Sequence, residues 1–172
     1  MSISFRIVQT SDLPNIIRWM QDEDVSRWWY EDGSEEAIRA KWEPRARGED
    51  DKTDRYVINV EGTDIGIIQT CLVADHPEYS AEIQVPESAG IDVFIGLSEW
   101  RNRGVGTRMV SRFLEELVFV DPAVRRCTID PEPANKRAIR AYEKVGFRHA
   151  RTYRSKIDNV DVYLMVKERE AD

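Results

Sequence analysis

Hydrophobic positions along this chain fall into short groups, some alternating and some at helical spacing. ISFRIVQ, residues 3–9, alternates well enough to be a first strand. In SDLPNIIRWMQDE, Leu13, Ile16, Ile17 and Met20 recur at helical spacing, with Ser11 or Asp12 as the N-cap. VSRWWYEDGS is a dense aromatic segment ending in turn residues. EEAIRAKWEPRARGEDD predicts a second helix, disturbed at Pro44 and followed by a charged loop. RYVINV and IGIIQTCLVA, joined by EGTD, predict a hairpin. Residues 76–89 are irregular, with a short strand expected near 82–85. GIDVFIGL, residues 90–97, reads as a central strand.

Beyond residue 100 the period lengthens. Val105, Met109, Val110, Phe113, Leu114, Leu117 and Val118 share one face, which predicts an amphipathic helix over 104–119. RRCTID is a further strand, and PEPANKRAIRAYEKVGF a helix with proline near its start and Gly146 as C-cap. FRHARTYRSKI and VDVYLMVKE close the chain as a hairpin turning at Asp158-Asn159. Neither repeats nor a linker interrupt this order, which predicts one mixed α/β domain over residues 1–172. The 41% hydrophobic content of 172 residues supports a single core.

No run approaches the roughly 18 apolar residues that span a membrane, and MSISFRIVQTSD lacks the regions of a signal peptide. The expected location is therefore cytoplasmic. Cys71 and Cys127 are not closely spaced with each other or with either histidine, so no metal is expected, and both read as small buried residues. A net charge of −7 argues against a nucleic-acid surface. Its distribution says more. From Tyr56 to Trp100 there is no Lys or Arg, while Glu61, Asp64, Asp75, Glu78, Glu82, Glu87, Asp92 and Glu99 fall there. Arg101, Arg103, Arg108 and Arg112 follow at once. Either the acidic loops serve solubility, or two ligands of opposite charge meet at one site.

The second reading turns on WRNRGVGT, which lies between a predicted strand and a predicted helix. It lacks the Gly-Lys-Ser/Thr of a nucleoside-triphosphate loop and the third glycine of a dinucleotide fingerprint. What remains is Arg101-x-x-Gly104-x-Gly106 at a helix start, where backbone N–H groups can approach a pyrophosphate. This loop, followed by DPEPANKRAIRAYEKVGFR, resembles the GCN5-related N-acetyltransferase (GNAT) superfamily. The resemblance implies a central, mostly antiparallel sheet with helices on both faces and acetyl-CoA as co-substrate. The implied cofactor contacts are Val93, Phe94, Ile95, Arg101, Asn102, Arg103, Gly104, Val105, Gly106, Thr107, Asn135, Ala138 and Tyr142.

Within that superfamily, Trp28-Trp29, Gly90-Ile91-Asp92, Asp130-Pro131-x-Pro133-x-Asn135 and the late DNVDVYLM resemble the aminoglycoside 6'-N-acetyltransferases. Residues 75–89 depart from that family, lacking its Trp-Trp-Glu-rich stretch, so no substrate contact carries over there. The resemblance implies a polycationic aminoglycoside held by Trp28, Trp29, Asp92, Asp130 and Asp158. Asp92 would bind the ammonium and accept its proton, or act as an anchor alone. Tyr142 would serve the leaving thiolate, or else belong to the core. The tryptophans, with Tyr30, either wall the sugar site or pack. Asp158 either binds or only turns the chain. A protein amine, a polyamine and a siderophore-type amine are alternative acceptors, and a non-catalytic acyl-CoA sensor is an alternative of another class. A monomer is expected.

Overall fold

The computed structural model describes residues 1–29 and 33–171, and Tyr30 lies outside them. Seven strands run in the hydrogen-bonded order β1-β2-β3-β4-β5-β7-β6. They are β1 (Ile3–Ile7), β2 (Thr53–Val60), β3 (Thr63–Leu72), β4 (Ser88–Ile95), β5 (Arg126–Ile129), β6 (Arg148–Arg154) and β7 (Asp161–Glu168). The sheet is mixed: β4 and β5 are parallel, whereas β1–β2, β5–β7 and β6–β7 are antiparallel. The described helices are α1 (Leu13–Met20), α2 (Glu23–Trp29), α3 (Glu35–Ala46), α4 (Pro77–Ile83), α5 (Val105–Phe113) and α6 (Lys136–Val145). Contacts divide the chain into two compact units, Met1–Gln69 with Val93–Arg101 and Thr70–Asp92 with Asn102–Asp172.

The first unit is built on aromatic packing. Its core gathers Ile16, Ile17, Trp19 and Met20 of α1 with Ile38 and Trp42 of α3, Val57, Ile67 and Phe94. A Cβ on Gly96 would stand 2.1 Å from the Trp19 ring, so only glycine lets β4 end against that side chain. Asp12 does not cap α1 with its side chain, as the sequence pattern had suggested. It accepts from Arg6 through both oxygens, at 2.9 and 2.8 Å, and from the Gln9 backbone N–H at 2.8 Å. A charge-assisted pair outcompetes a capping bond here. Pro44 does not break α3 either. It falls in the last turn, and the amide N–H groups of Arg47 and Glu49 bond to the Glu43 and Pro44 carbonyls.

In the second unit the expected strand near 82–85 is instead the end of α4, which Gln84 closes at φ 54°. Ile83 explains the difference. It is buried with Val73 and Leu164, and one helical turn brings Tyr79 beside the same cluster. The predicted 104–119 helix is α through Phe113 and then widens into a π turn, Leu114–Val118, closed by Phe119 N–H donating to the Leu114 carbonyl. That turn keeps both Leu114 and Val118 buried. The last hairpin turns over residues 155–160 rather than at two residues, because the Ser155 hydroxyl accepts from the amides of Ile157 and Asp158. Cys127 is buried, whereas Cys71 is only partly so.

Candidate active site

Register brings two carboxylates together. On the parallel pair β4–β5, Gly90 is aligned with Thr128, the last aligned residues. Asp92 and Asp130 each follow two positions later, and a period of two sends them to the face shared by Gly90 and Thr128. β5 has ended by then, while β4 continues to Ile95. The strands thus stop pairing where the two acids stand.

Tyrosines surround these acids. The Tyr79 ring approaches Gly90, its Cε1 3.6 Å from where a Cβ would be, and its hydroxyl donates to Asp130 Oδ2 at 3.2 Å. Burial pushes the Asp130 carboxyl up to about 8, and the charges of Asp92 and Asp158 push the same way against the Tyr79 hydrogen bond. Burial, then Asp92 and Asp130, hold the Tyr142 phenol well above its ordinary range. Burial, Asp130 and Glu82 raise Tyr153 to about 12, and its buried hydroxyl has no hydrogen-bond partner among the described residues. Asp92 itself is exposed. β5 ends at Ile129, so β4 has no β5 partner beside Asp92 while β3 still flanks it in the sheet.

The glycine loop opens α5. Gly104 has φ +71°, a left-handed conformation that favours glycine, and nothing lies within 4 Å of the Cβ it lacks. It is the N-cap of α5 and supplies no side-chain cap. The first amide N–H groups, those of Val105, Gly106 and Thr107, therefore find no partner inside the helix. Asn102 at φ 59° also takes the left-handed turn, and Asn102, Arg103 and Gly104 are exposed. This is a concave, donor-rich backbone suited to a pyrophosphate.

Arg101 is used differently from what its motif position suggests. Its guanidinium donates to the Ile95 and Gly96 carbonyls at 2.9 and 3.0 Å and pairs with Asp22 at 3.0 Å and Asp24 at 3.3 Å, with 9% of the side chain exposed. The side chain is thus engaged within the first unit. Asn135 caps α6, its side-chain oxygen accepting from the Ala138 N–H at 3.3 Å. Trp29 packs against Trp42 and Phe94, with ring centroids 6.2 and 5.0 Å away, while Trp28 is half-buried beneath the Arg27 guanidinium. Asp158 is exposed in the last turn. Sequence reasoning missed Tyr79 and Tyr153. The one signal for Tyr79 was an aromatic residue three positions before Glu82 in a segment that read as irregular.

The exposed glycine loop that opens α5 and the acid–tyrosine cluster at the end of β5 both lie in the second unit. The chain belongs to the acetyltransferase (GNAT) domain family, which matches residues 9–155. An aminoglycoside N(6')-acetyltransferase type 1 of Klebsiella pneumoniae is 32% identical over 177 residues, spanning 99% of this chain and 85% of that protein. A kanamycin resistance protein of Rhizobium radiobacter is 43% identical over 86 residues, 50% of this chain and 77% of that one. The crystal structure of an aminoglycoside acetyltransferase with coenzyme A and kanamycin superposes with a TM-score of 0.83 at 27% identity, covering 98% and 95% of the two chains. No described helix is long and apolar enough to cross a membrane. Among the described residues, no group of His, Cys, Asp and Glu could hold a metal ion.

Proposed function

We propose that this enzyme transfers the acetyl group of acetyl-CoA to the 6'-amine of an aminoglycoside. The carrying observation is the register of Asp92 and Asp130, which sets two carboxylates at the point where β4 and β5 part. The amine lone pair attacks the thioester carbonyl, the C–S bond breaks, and an ammonium ion becomes a neutral amide. One proton is released and one stays on the thiol. Asp92, exposed on β4, holds the ammonium and takes its proton directly or through water.

Tyr142 faces the leaving sulfur. A phenol held above its ordinary range is a weaker acid than a thiol, so it stabilises the thiolate chiefly by donating a hydrogen bond. A bound polycation opposes the field of Asp92 and Asp130 and makes that phenol a better donor. The pyrophosphate of acetyl-CoA sits on the N–H groups of Gly104, Val105, Gly106 and Thr107, with Asn102 and Arg103 flanking. The Arg101 guanidinium is already paired with Asp22 and Asp24, so the phosphate relies on backbone donors. Val93, Phe94 and Ile95 continue the strand of Asp92. The side-chain amide N–H₂ of Asn135, not used in capping, and Ala138 complete the α6 side with Tyr142.

Asp130 and Asp158 take further ammonium or hydroxyl groups of the acceptor. Trp29 is occupied in packing against Trp42 and Phe94. The enzyme acts as a cytoplasmic monomer without nucleic acid. The test is coenzyme A thiol release with kanamycin, beside a 6'-hydroxyl analogue, spermidine and basic peptides. Turnover confined to 6'-amines supports the reading. Turnover with peptides or polyamines alone keeps the acetyl transfer and overturns the acceptor.

A further inference from the structure

α4 is the element that the sequence pattern did not foresee, and it carries two side chains one helical turn apart that reach both acidic acceptor positions. Tyr79 donates to Asp130 at 3.2 Å. Glu82 holds the last turn: its Oε2 accepts from the Ser155 hydroxyl at 3.0 Å and its Oε1 from the Lys156 amide at 2.5 Å. The Glu82 carbonyl accepts from Arg151. Ser155 is 3% exposed and in turn orders the amides of Ile157 and Asp158, each at 3.2 Å. Residues three apart on a helix share a face. One short helix therefore grips the end of β5 and the β6–β7 turn together, seated by Ile83 against Val73 and Leu164.

We infer that α4 is an acceptor-setting clamp, in which Tyr79 and Glu82 are positioning residues that hold Asp130 and the Asp158 turn in the arrangement the acceptor's outlying amines must match. The inference rests on the acetyl-transfer reading and adds to it where acceptor selectivity arises. Groups facing Asp130 come from every neighbouring element: Tyr79 from α4, Asp92 from β4, Asp158 from the turn, Tyr142 from α6 and Tyr153 from β6. Among these, the Tyr79 hydrogen bond favours the ionised Asp130, and the acids oppose it.

The experiment compares the intact wild-type enzyme with Tyr79→Phe and Glu82→Gln, using kanamycin and spermidine as acceptors. Tyr79→Phe keeps the ring that packs on Gly90, so it preserves the fold even where Glu82→Gln loosens the turn. Loss of a hydrogen bond to a charged group predicts a kanamycin KM raised about 10-fold in each variant, with kcat and the acetyl-CoA KM within about twofold of wild type. In Tyr79→Phe the acidic limb of kcat/KM moves to higher pH by about one unit, because the ionised Asp130 loses its donor. Glu82→Gln leaves that limb in place. A structural effect alone would lower the amount of active enzyme and move neither KM nor the limb. An unchanged kanamycin KM in folded Tyr79→Phe overturns the clamp while leaving the activity standing, as does an acetyl-CoA KM that rises in step. A wild-type enzyme that turns over spermidine but not kanamycin overturns the acceptor reading, and the clamp with it.

Discussion

Asp12 in the first unit and Asp130 in the second are the same side chain put to opposite use. Asp12 is 5% exposed, yet Arg6 and the Gln9 amide meet it from two sides and hold its carboxyl below the usual range against the cost of burial. Asp130 is buried beside Asp92 and Asp158, with neutral donors in the Tyr79 hydroxyl and its own backbone amide, and its carboxyl rises to about 8. The first unit pairs its other inward charges as well, Arg55 with Asp50 and Arg101 with Asp22. A scaffold satisfies its own ions. The second unit instead buries Asp130 against neutral donors and like charges.

The sharpest way to break this contrast is Asp92→Asn. Loss of a positioned base predicts turnover lower by about 10³-fold with acetyl-CoA affinity retained, measured by thiol release and calorimetry. Equal turnover would leave Asp92 an anchor or less. On the scaffold side, Gly96→Ala drives a methyl into the Trp19 ring and predicts a loss of about 3 kcal/mol in urea unfolding, with substrate KM values unchanged in the folded fraction.

The paired acids also predict opposite pH limbs. Asp12, with its pKa depressed, contributes stability above its unfolded value of about 4, which is lost as pH falls through the lower folded value. Asp130, with its pKa raised, makes the ligand-free protein less stable as pH climbs from about 4 to about 8. Asp130→Asn therefore predicts a Tm about 3–6 °C higher at pH 8, with the gain fading toward pH 4, and weaker kanamycin binding by titration. Arg6→Ala is the smallest effect. Arg6 is largely solvated, so its removal predicts a loss of about 1–2 kcal/mol at pH 7 that shrinks in acid. A Tm that fell in Asp130→Asn would place Asp130 with the scaffold.

Some of this was legible along the chain. The glycine turn at Gly104, the strands that carry or precede Asp92 and Asp130, and the helix that carries Tyr142 were readable because local spacing sets each of them. Local spacing also marked α1, α5 through Phe113, and α6 with its Gly146 cap. The 76–89 segment was not readable that way. Its helix is stabilised by burial of Ile83 with Val73 and the distant Leu164, and no internal periodicity announces such contacts.

The sequence by itself determined the glycine turn and most of the order of elements outside 76–89, since these follow from residue type and short-range geometry. The ligand class came from the family resemblance. Tertiary structure alone decided which carboxylates are satisfied. Arg6 reaches Asp12 and Asp64, Arg101 turns to Asp22 and Asp24, and Asp130 meets Asp92 through strand register. Charge acts through distance and dielectric, and both are set only when remote segments pack.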